Sequence, residues 1–190
     1  MNNSKMKIKD IITVTLLTLC NILIYCIGIF TYATPITVLL TPVIYSVLQG
    51  IVFFVIGVKV PKKGAFLIYS VIMGFIGFYP PYTILFVLSG IIAEVMLSKT
   101  GYGNLKTIGI VYVIQQALAS IGSVIYPYGF SLSKTLKMVD DANVAKNISH
   151  AATMISSWGA LVLFALVIVS AVIGAFIGRK VVTKHFLTEK

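Results

Sequence analysis

The sequence predicts an all-α integral membrane protein: a six-transmembrane-helix bundle with both ends in the cytoplasm and a long, partly helical outer loop between helices five and six. The first observation is composition, because 58% of the 190 residues are hydrophobic and 11% are charged, whereas about a quarter of the residues in soluble domains are charged. The second is that the apolar residues form blocks of about 20, the length that crosses a bilayer. The third is an uneven distribution of basic residues.

Four apolar blocks are long enough to be spans on their own: residues 11–30, 37–58, 108–126 and 158–178. A further uncharged block, 64–93, is too long for one ordinary span. It is interrupted by Tyr79-Pro80-Pro81-Tyr82, where two prolines remove two backbone donors and disfavour helix at the preceding tyrosine. We therefore expect two short helices, 65–78 and 83–97, within a single membrane domain that comprises the whole chain, 1–190.

The basic residues test this count of six spans. Of the 15 basic residues, twelve then lie on the cytoplasmic side, and only Lys134, Lys137 and Lys146 lie outside. Five spans would put Lys59–Lys63 and Lys99–Lys106 on opposite sides, so the asymmetry favours six. Basic residues that flank the spans on the cytoplasmic side also explain the net charge of +10, so the charge does not require a nucleic-acid partner. The twelve are Lys5, Lys7, Lys9, Lys59, Lys62, Lys63, Lys99, Lys106, Arg179, Lys180, Lys184 and Lys190.

Catalytic and cofactor motifs are not evident in the sequence. His150 and His185, the two histidines, fall in the outer loop and the cytoplasmic tail, so they cannot share a site. The chain has no His-Glu-x-x-His motif, no paired acidic motif and no phosphate-binding glycine-rich loop. We expect that the protein is not an enzyme, does not hydrolyse ATP itself, and uses no metal or cofactor.

Polar and aromatic residues inside or beside the spans are the candidates for a ligand site. Thr18, Asn21, Tyr25 and Gly28 are spaced three, four and three residues apart, so they share a helix face that should point into the bundle. Gln115 and Gln116 point in different directions, and at most one of them faces a cavity squarely. Interhelical hydrogen bonds are the alternative explanation for each polar residue.

The turn at Tyr79–Tyr82 is the strongest indication of a cavity. A 14-residue helix reaches only about 21 Å against a hydrocarbon core of about 30 Å, so the turn should lie below the outer surface. Irregular backbone at that depth is buried in protein or lines a cavity. An interfacial aromatic belt is the alternative for the tyrosines. The predicted substrate-binding residues are Asn21, Tyr25, Tyr32, Tyr79, Tyr82, Gln115, Tyr126, Tyr128 and Trp158.

The outer segment 127–157 is long for a loop in so small a protein. Its apolar residues fall near helical spacing, and Ser131 or Ser133 can cap a helix start. We expect one or two short helices over the outer mouth, acting either as a lid or as an interfacial anchor.

Two further features point to contacts between helices. Ser170, Gly174 and Gly178 are four residues apart, a spacing of small residues that permits close helix packing within the bundle or against a partner. Glu94, near the cytoplasmic end of its span, is expected to pair with Lys99 or a neighbouring basic loop.

The sequence resembles the substrate-binding S components of energy-coupling factor (ECF) transporters, in the group labelled MptD or Trep-Strep. The resemblance lies in Gly90-Ile91-Ile92-Ala93-Glu94, in the long loop that ends at Ser157-Trp158, and in the tail GAFIGRK at 174–180 followed by Lys184-His185-Phe186. It covers the whole chain in length and layout. In S components, helix one commonly has an Ala-x-x-x-Ala pattern that contacts the coupling protein. This chain has Thr15 and Leu19 at the corresponding positions, so the pattern does not identify the docking face on this helix.

The resemblance implies uptake of a vitamin-like or other micronutrient small molecule across the plasma membrane of a bacterium. Such a subunit binds its ligand from outside and then docks on an EcfT-like transmembrane coupling protein driven by two ABC ATPases. It is thought to topple in the bilayer and carry the ligand inward. The cavity would be formed by the loops after helices one, three and five. The alternatives are a stand-alone secondary carrier or channel, or an accessory membrane subunit without a ligand.

Overall fold

The computed structural model describes residues 5–155 and 157–187, which form nine α-helices with no strand among them. Lys190, one of the twelve basic residues above, lies outside the described residues. The helices are α1 (Ile8–Cys26), α2 (Pro35–Lys59), α3 (Ala65–Ile76), α4 (Pro80–Thr100), α5 (Leu105–Ser120), α6 (Tyr126–Gly129), α7 (Leu132–Leu136), α8 (Ala142–Met154) and α9 (Ser157–Val182).

Five helical segments in the described chain are long and apolar enough to cross a membrane. Short helical extensions lengthen three of them: a 3₁₀ turn continues α1, a π-helical turn joins α5 to α6, and another π-helical turn follows α9. The segments are Ile8–Ala33, Pro35–Lys59, Pro80–Thr100, Leu105–Gly129 and Trp158–Leu187. The all-helical membrane architecture is therefore confirmed.

The predicted pair of short central helices takes a different form. Helix α3 ends at Ile76 and has 12 residues, which reach about 18 Å. Helix α4 is longer than predicted, because it begins at Pro80 instead of residue 83 and continues to Thr100. Proline is well accommodated in the first turn of a helix, where its missing N–H has no intrahelical partner to lose. Phe78, with φ +44°, reverses the chain between the two helices.

Helices α2 and α9 pack closely because glycines face each other at their crossing. A Cβ atom built on Gly174 would collide with the backbone of Ser46, and one on Gly178 would lie 2.6 Å from the Gly50 carbonyl oxygen. Ser170, on the same side of α9, is also buried. The predicted seam of small residues therefore contacts a helix of the same bundle.

At the end of the bundle where α2 meets α3, which we call the basic end, polar contacts fix the helix termini. Glu94 accepts hydrogen bonds from the backbone N–H groups of Gly64 (2.9 Å) and Leu67 (3.4 Å), a favourable position for an anion at the N-terminus of α3. Tyr102 donates to the same carboxylate at 3.1 Å. Burial, together with the adjacent Glu94, raises the pKa of Tyr102 to about 12, so it remains a donor.

The basic end also contains an ion pair of 2.7 Å between Lys62 and Asp10, which joins the turn before α3 to the start of α1. Of the two partners expected for Glu94, Lys99 is not paired with it among the described residues. The carboxylate instead contacts the neighbouring basic loops, through the backbone N–H group of Gly64 and the hydroxyl of Tyr102.

Helices α6, α7 and α8 lie over the opposite end, which we call the lid end. Asp141 caps α8 by accepting hydrogen bonds from the N–H groups of Asn143 and Val144 at 2.7 and 3.0 Å. The apolar face of α8 packs through Ile148 and Ala151 into a cluster with Val38. The segment between α5 and α9 is thus helical and packed onto the bundle.

Candidate ligand-binding cavity

A cavity of about 540 Å³ opens between α1, α2, α4 and α5 beneath the lid end. That volume suits a small molecule. Gln49 lies at its deep end, about 21 Å along α2 from Pro35 at a rise of roughly 1.5 Å per residue. The cavity therefore extends well into the segment that crosses the bilayer.

The deep end holds a chain of polar side chains. Gln116 Nε2 donates to Gln49 Oε1 at 3.1 Å, and Ser46 Oγ lies 3.3 Å from Gln116 Oε1. All three residues are buried, and both glutamines line the cavity. The second amide atom of Gln49 has no hydrogen-bond partner among the described residues, which leaves it able to bind a ligand.

Six tyrosines contribute to the cavity wall. The rings of Tyr25 and Tyr45 stack with centroids 5.1 Å apart, and Tyr45 donates to the Tyr25 carbonyl oxygen at 2.6 Å. Gly28 permits this arrangement, because any side chain there would collide with the Tyr45 hydroxyl. On the opposite side Tyr82 packs on Phe86, with centroids 5.1 Å apart. Such walls suit a flat, largely apolar ligand.

Tyr79 lines the cavity and has a buried hydroxyl. The hydroxyl oxygen has no hydrogen-bond partner in the described part of the chain. A buried polar group without a partner is costly, so a ligand that hydrogen-bonds to Tyr79 would remove that cost.

The lid covers the cavity with apolar side chains from α8 and from the turn before it. Val139, Val144 and Ile148 line the cavity from above. Helix α8 is held in place by Asn147, whose side-chain nitrogen donates to the carbonyl oxygens of Tyr32 (2.9 Å) and Ala33 (3.1 Å). The lid is thus attached to the end of the first span by two hydrogen bonds.

A π-helical turn, Ile121–Ile125, shapes the wall contributed by the fifth span. A Cβ atom on Gly122 would lie 2.7 Å from the Cα of Tyr82, so glycine lets the two backbones touch. The wider turn places Ser123 and Val124 on the cavity wall. Single π-helical turns inside α-helices are frequent at functional sites.

The structure brings five of the predicted substrate-binding residues to the cavity wall and places four elsewhere. Tyr25, Tyr32, Tyr79, Tyr82 and Tyr128 line the cavity. The four that do not line it divide into two kinds, two buried amides and two exposed aromatic residues: Asn21, Gln115, Tyr126 and Trp158.

The two buried amides join helices to one another. Asn21 Nδ2 donates to the Tyr69 hydroxyl at 2.6 Å, which connects α1 to α3. Gln115 Nε2 donates to the hydroxyl oxygens of Ser70 (2.9 Å) and Ser89 (3.2 Å), which connects α5 to α3 and α4. Asn21 and Gln115 thus form hydrogen bonds between helices, which was the alternative to ligand binding for polar residues within the spans.

The exposed residues lie on the outer surface of the bundle. Trp158 is 78% exposed and Tyr126 41% exposed, as expected for an aromatic belt at a membrane interface. On α1, Leu19 is 49% exposed and Thr15 is half-buried, so this face of the helix is uncovered in the described structure.

Five cavity residues on α2 and four on α5 and its π-helical extension were missing from the predicted set. Thr41, Tyr45 and Gln49 are four residues apart, and this polar stripe on an apolar helix is a signal that the sequence contains. On α5 and its π-helical extension, Gln116, Ala119 and Ser123 follow the same helical periodicity. Most of the lid residues that line the cavity carry no comparable signal, because they are ordinary apolar side chains.

The cavity is uncharged. None of the described residues that line it is Asp, Glu, Lys, Arg or His. Within the described chain, no three His, Cys, Asp or Glu side chains come together as they would around a metal ion. The site can therefore offer aromatic faces, amide groups and hydroxyls, but no counter-charge for an ion.

The chain matches the sequence profile of one protein family over residues 8–187, almost its whole length. No curated protein and no solved structure matches it. The match covers the lid and all five segments that are long and apolar enough to cross a membrane. The protein therefore belongs to the Trep_Strep family, described as hypothetical bacterial integral membrane proteins.

Proposed function

We propose that this protein is the substrate-binding S component of an ECF-type ABC importer, which captures a vitamin-like or other micronutrient small molecule from outside the cell. Its partners would be an EcfT-like coupling protein and two ABC ATPases that hydrolyse ATP on its behalf. The observation that carries the proposal is the lidded cavity of about 540 Å³, which reaches deep into the bundle.

The proposal includes an orientation in the bacterial plasma membrane. The lid end faces outward, the basic end faces the cytoplasm, and α3 and α4 cross as two separate spans. The uneven distribution of lysine and arginine supports this arrangement. Helix α3 has only 12 residues, so it would cross with its turn below the outer surface, where Tyr79 contacts the cavity.

A ligand-binding subunit is favoured over an ion-coupled carrier by the chemistry of the cavity. Coupling to ions uses charged or ionisable groups inside the membrane. The described residues that line this cavity include no Asp, Glu, Lys, Arg or His, whereas they include six tyrosines and two glutamines. Those groups suit binding of a neutral molecule, and an energy source would come from partner subunits.

The test is affinity purification of the tagged chain from its native host in mild detergent, followed by identification of the proteins retained. Recovery of a membrane coupling protein with two ABC ATPases would support the proposal. An unrelated multi-pass protein with the same tag, purified in parallel, controls for non-specific retention. Recovery of the chain without an ATPase would contradict the assignment to an ABC importer.

A further inference from the structure

The deep end of the cavity defines what part of a ligand it can recognise. Ser46 Oγ has a single proton, and its shortest contact is the Pro42 carbonyl oxygen at 2.7 Å. That proton is therefore used within α2. Ser46 therefore has no proton left to donate to Gln116, whose side-chain oxygen lies 3.3 Å from Ser46 Oγ.

This proton count leaves two arrangements of the glutamine pair, because a carboxamide can rotate by 180° and exchange its oxygen and nitrogen. In one, Gln116 donates to Gln49 and the Gln49 N–H group faces the ligand. In the other, Gln116 donates to Ser46, Gln49 donates to Gln116, and the Gln49 carbonyl oxygen faces the ligand. In both, one amide atom of Gln49 remains for the ligand.

A ligand that could pair with this one Gln49 atom in either of the two arrangements has both a hydrogen-bond donor and an acceptor, side by side, within its reach. An amide-type edge, such as a lactam, a urea or a primary carboxamide, has this property. A carboxylate offers acceptors only. It would also be a charge in a cavity without a counter-charge among the described lining residues.

We infer that the cavity binds an uncharged, flat small molecule whose amide-type edge pairs with Gln49, while its rings lie against Tyr25, Tyr45 and Tyr82. This inference rests on the proposed function, since it names the ligand class of the same site. Gln116 positions Gln49 and sets which of its amide atoms faces the ligand.

The experiment uses the low-molecular-weight metabolite extract of the native host as its probe. The purified full-length chain is incubated with the extract, and native mass spectrometry measures the fraction that carries a small-molecule adduct. Gln49→Leu removes the amide. Gln49→Glu keeps the shape and an acceptor but loses the amide donor. The matched control is Gln115→Leu, which deletes a buried amide that bonds Ser70 and Ser89 and does not line the cavity.

We expect the wild type and Gln115→Leu to carry the adduct, and both Gln49 variants to need about tenfold or more extract for equal occupancy. The released compound should be uncharged at neutral pH and contain an amide-type edge. Equal occupancy in the Gln49 variants, or a charged compound, would overturn the inference and leave the proposed function standing. No adduct on the wild type would overturn the proposed function and the inference with it.

Discussion

At the scale of single residues, the tyrosines of this protein divide between packing and binding. Tyr69 is fully buried and accepts a hydrogen bond from Asn21, so its hydroxyl holds α1 against α3. Tyr79 lines the cavity, and its buried hydroxyl lacks a partner among the described residues. The two residues have the same chemistry, and only their surroundings separate a structural from a binding role.

This difference gives a matched pair of substitutions. Tyr79→Phe should leave the melting temperature of the ligand-free chain unchanged or raise it, because it removes a buried hydroxyl without a partner, and should weaken binding of the host metabolite about three- to tenfold, the loss expected for one hydrogen bond. Tyr69→Phe should do the reverse, lowering stability by about 1 kcal/mol without weakening binding. Thermal unfolding and adduct occupancy measure the two effects. Unchanged binding in Tyr79→Phe would remove this hydroxyl from the site.

Neighbouring residues also show where prediction from sequence reached its limit. Gln115 and Gln116 are adjacent, and helical geometry alone established that they point in different directions. Only the packing of α5 decides that Gln115 meets Ser70 and Ser89 while Gln116 meets Gln49. Long-range contacts of this kind are absent from the local pattern, so the sequence could identify the pair but not the member that lines the cavity.

At the scale of helices, the contact between α4 and the π-helical turn brings two walls of the cavity together. Gly122→Ala would place a methyl group 2.7 Å from the Tyr82 Cα. Separating the backbones should cost about 1–3 kcal/mol of stability and weaken metabolite binding.

The control is Gly109→Ala on α5, where the added atom would be 3.5 Å from Phe54, an ordinary contact. It should be neutral or stabilising by about 1 kcal/mol, since alanine favours helix over glycine. Thermal unfolding of both variants in the same detergent makes the comparison. Equal effects would show that the contact with Tyr82 does not constrain the helices.

The two hydrogen bonds of Asn147 should control how often the lid opens. Asn147→Ala removes both hydrogen bonds to Tyr32 and Ala33, so α8 should open more often. We expect hydrogen exchange in α8 to become about tenfold faster and the bound metabolite to dissociate faster. Asn143→Ala is the control, because this exposed asparagine lies on the same helix and its side chain makes no such contact. Equal exchange in the two variants would show that Asn147 does not hold the lid.

The turn between α3 and α4 shows why a sequence pattern does not fix the residue at which a helix begins or ends. The prolines before Tyr82 correctly marked an interruption, but they start α4 instead of lying outside it. The same residues are compatible with either result, because proline disfavours helix before it and suits the first turn after it. The length of α4 then follows from its packing against α3 and α5.

At the scale of the whole molecule, the sequence sufficed for the class of protein and for four of the membrane segments, because composition and block length are properties of the chain itself. Residues 11–30, 37–58, 108–126 and 158–178 all lie within helices that can cross a membrane. The shape of the cavity depends instead on how the helices cross. Its deep end needs Gln49 and Gln116, residues far apart in the chain and 3.1 Å apart in space.

The proposed orientation predicts which loops share a side of the membrane. In a background with Cys20 and Cys26 changed to serine, Lys63→Cys and Lys106→Cys should react with a membrane-impermeant maleimide only after the cells are permeabilised. His150→Cys should react in intact cells. All three positions are exposed in the structure. Reaction of Lys63→Cys and Lys106→Cys from opposite sides would mean that an odd number of spans separates them.

The central claim is that the space beneath the lid is a binding site for a small molecule. An experimental structure of the chain purified gently from its native host tests this most directly. The account predicts compact non-protein density between Tyr45, Tyr82 and Gln116, in contact with Gln49 and covered by α8. A cavity filled by collapsed side chains, or by lipid chains continuous with the bilayer, would contradict it.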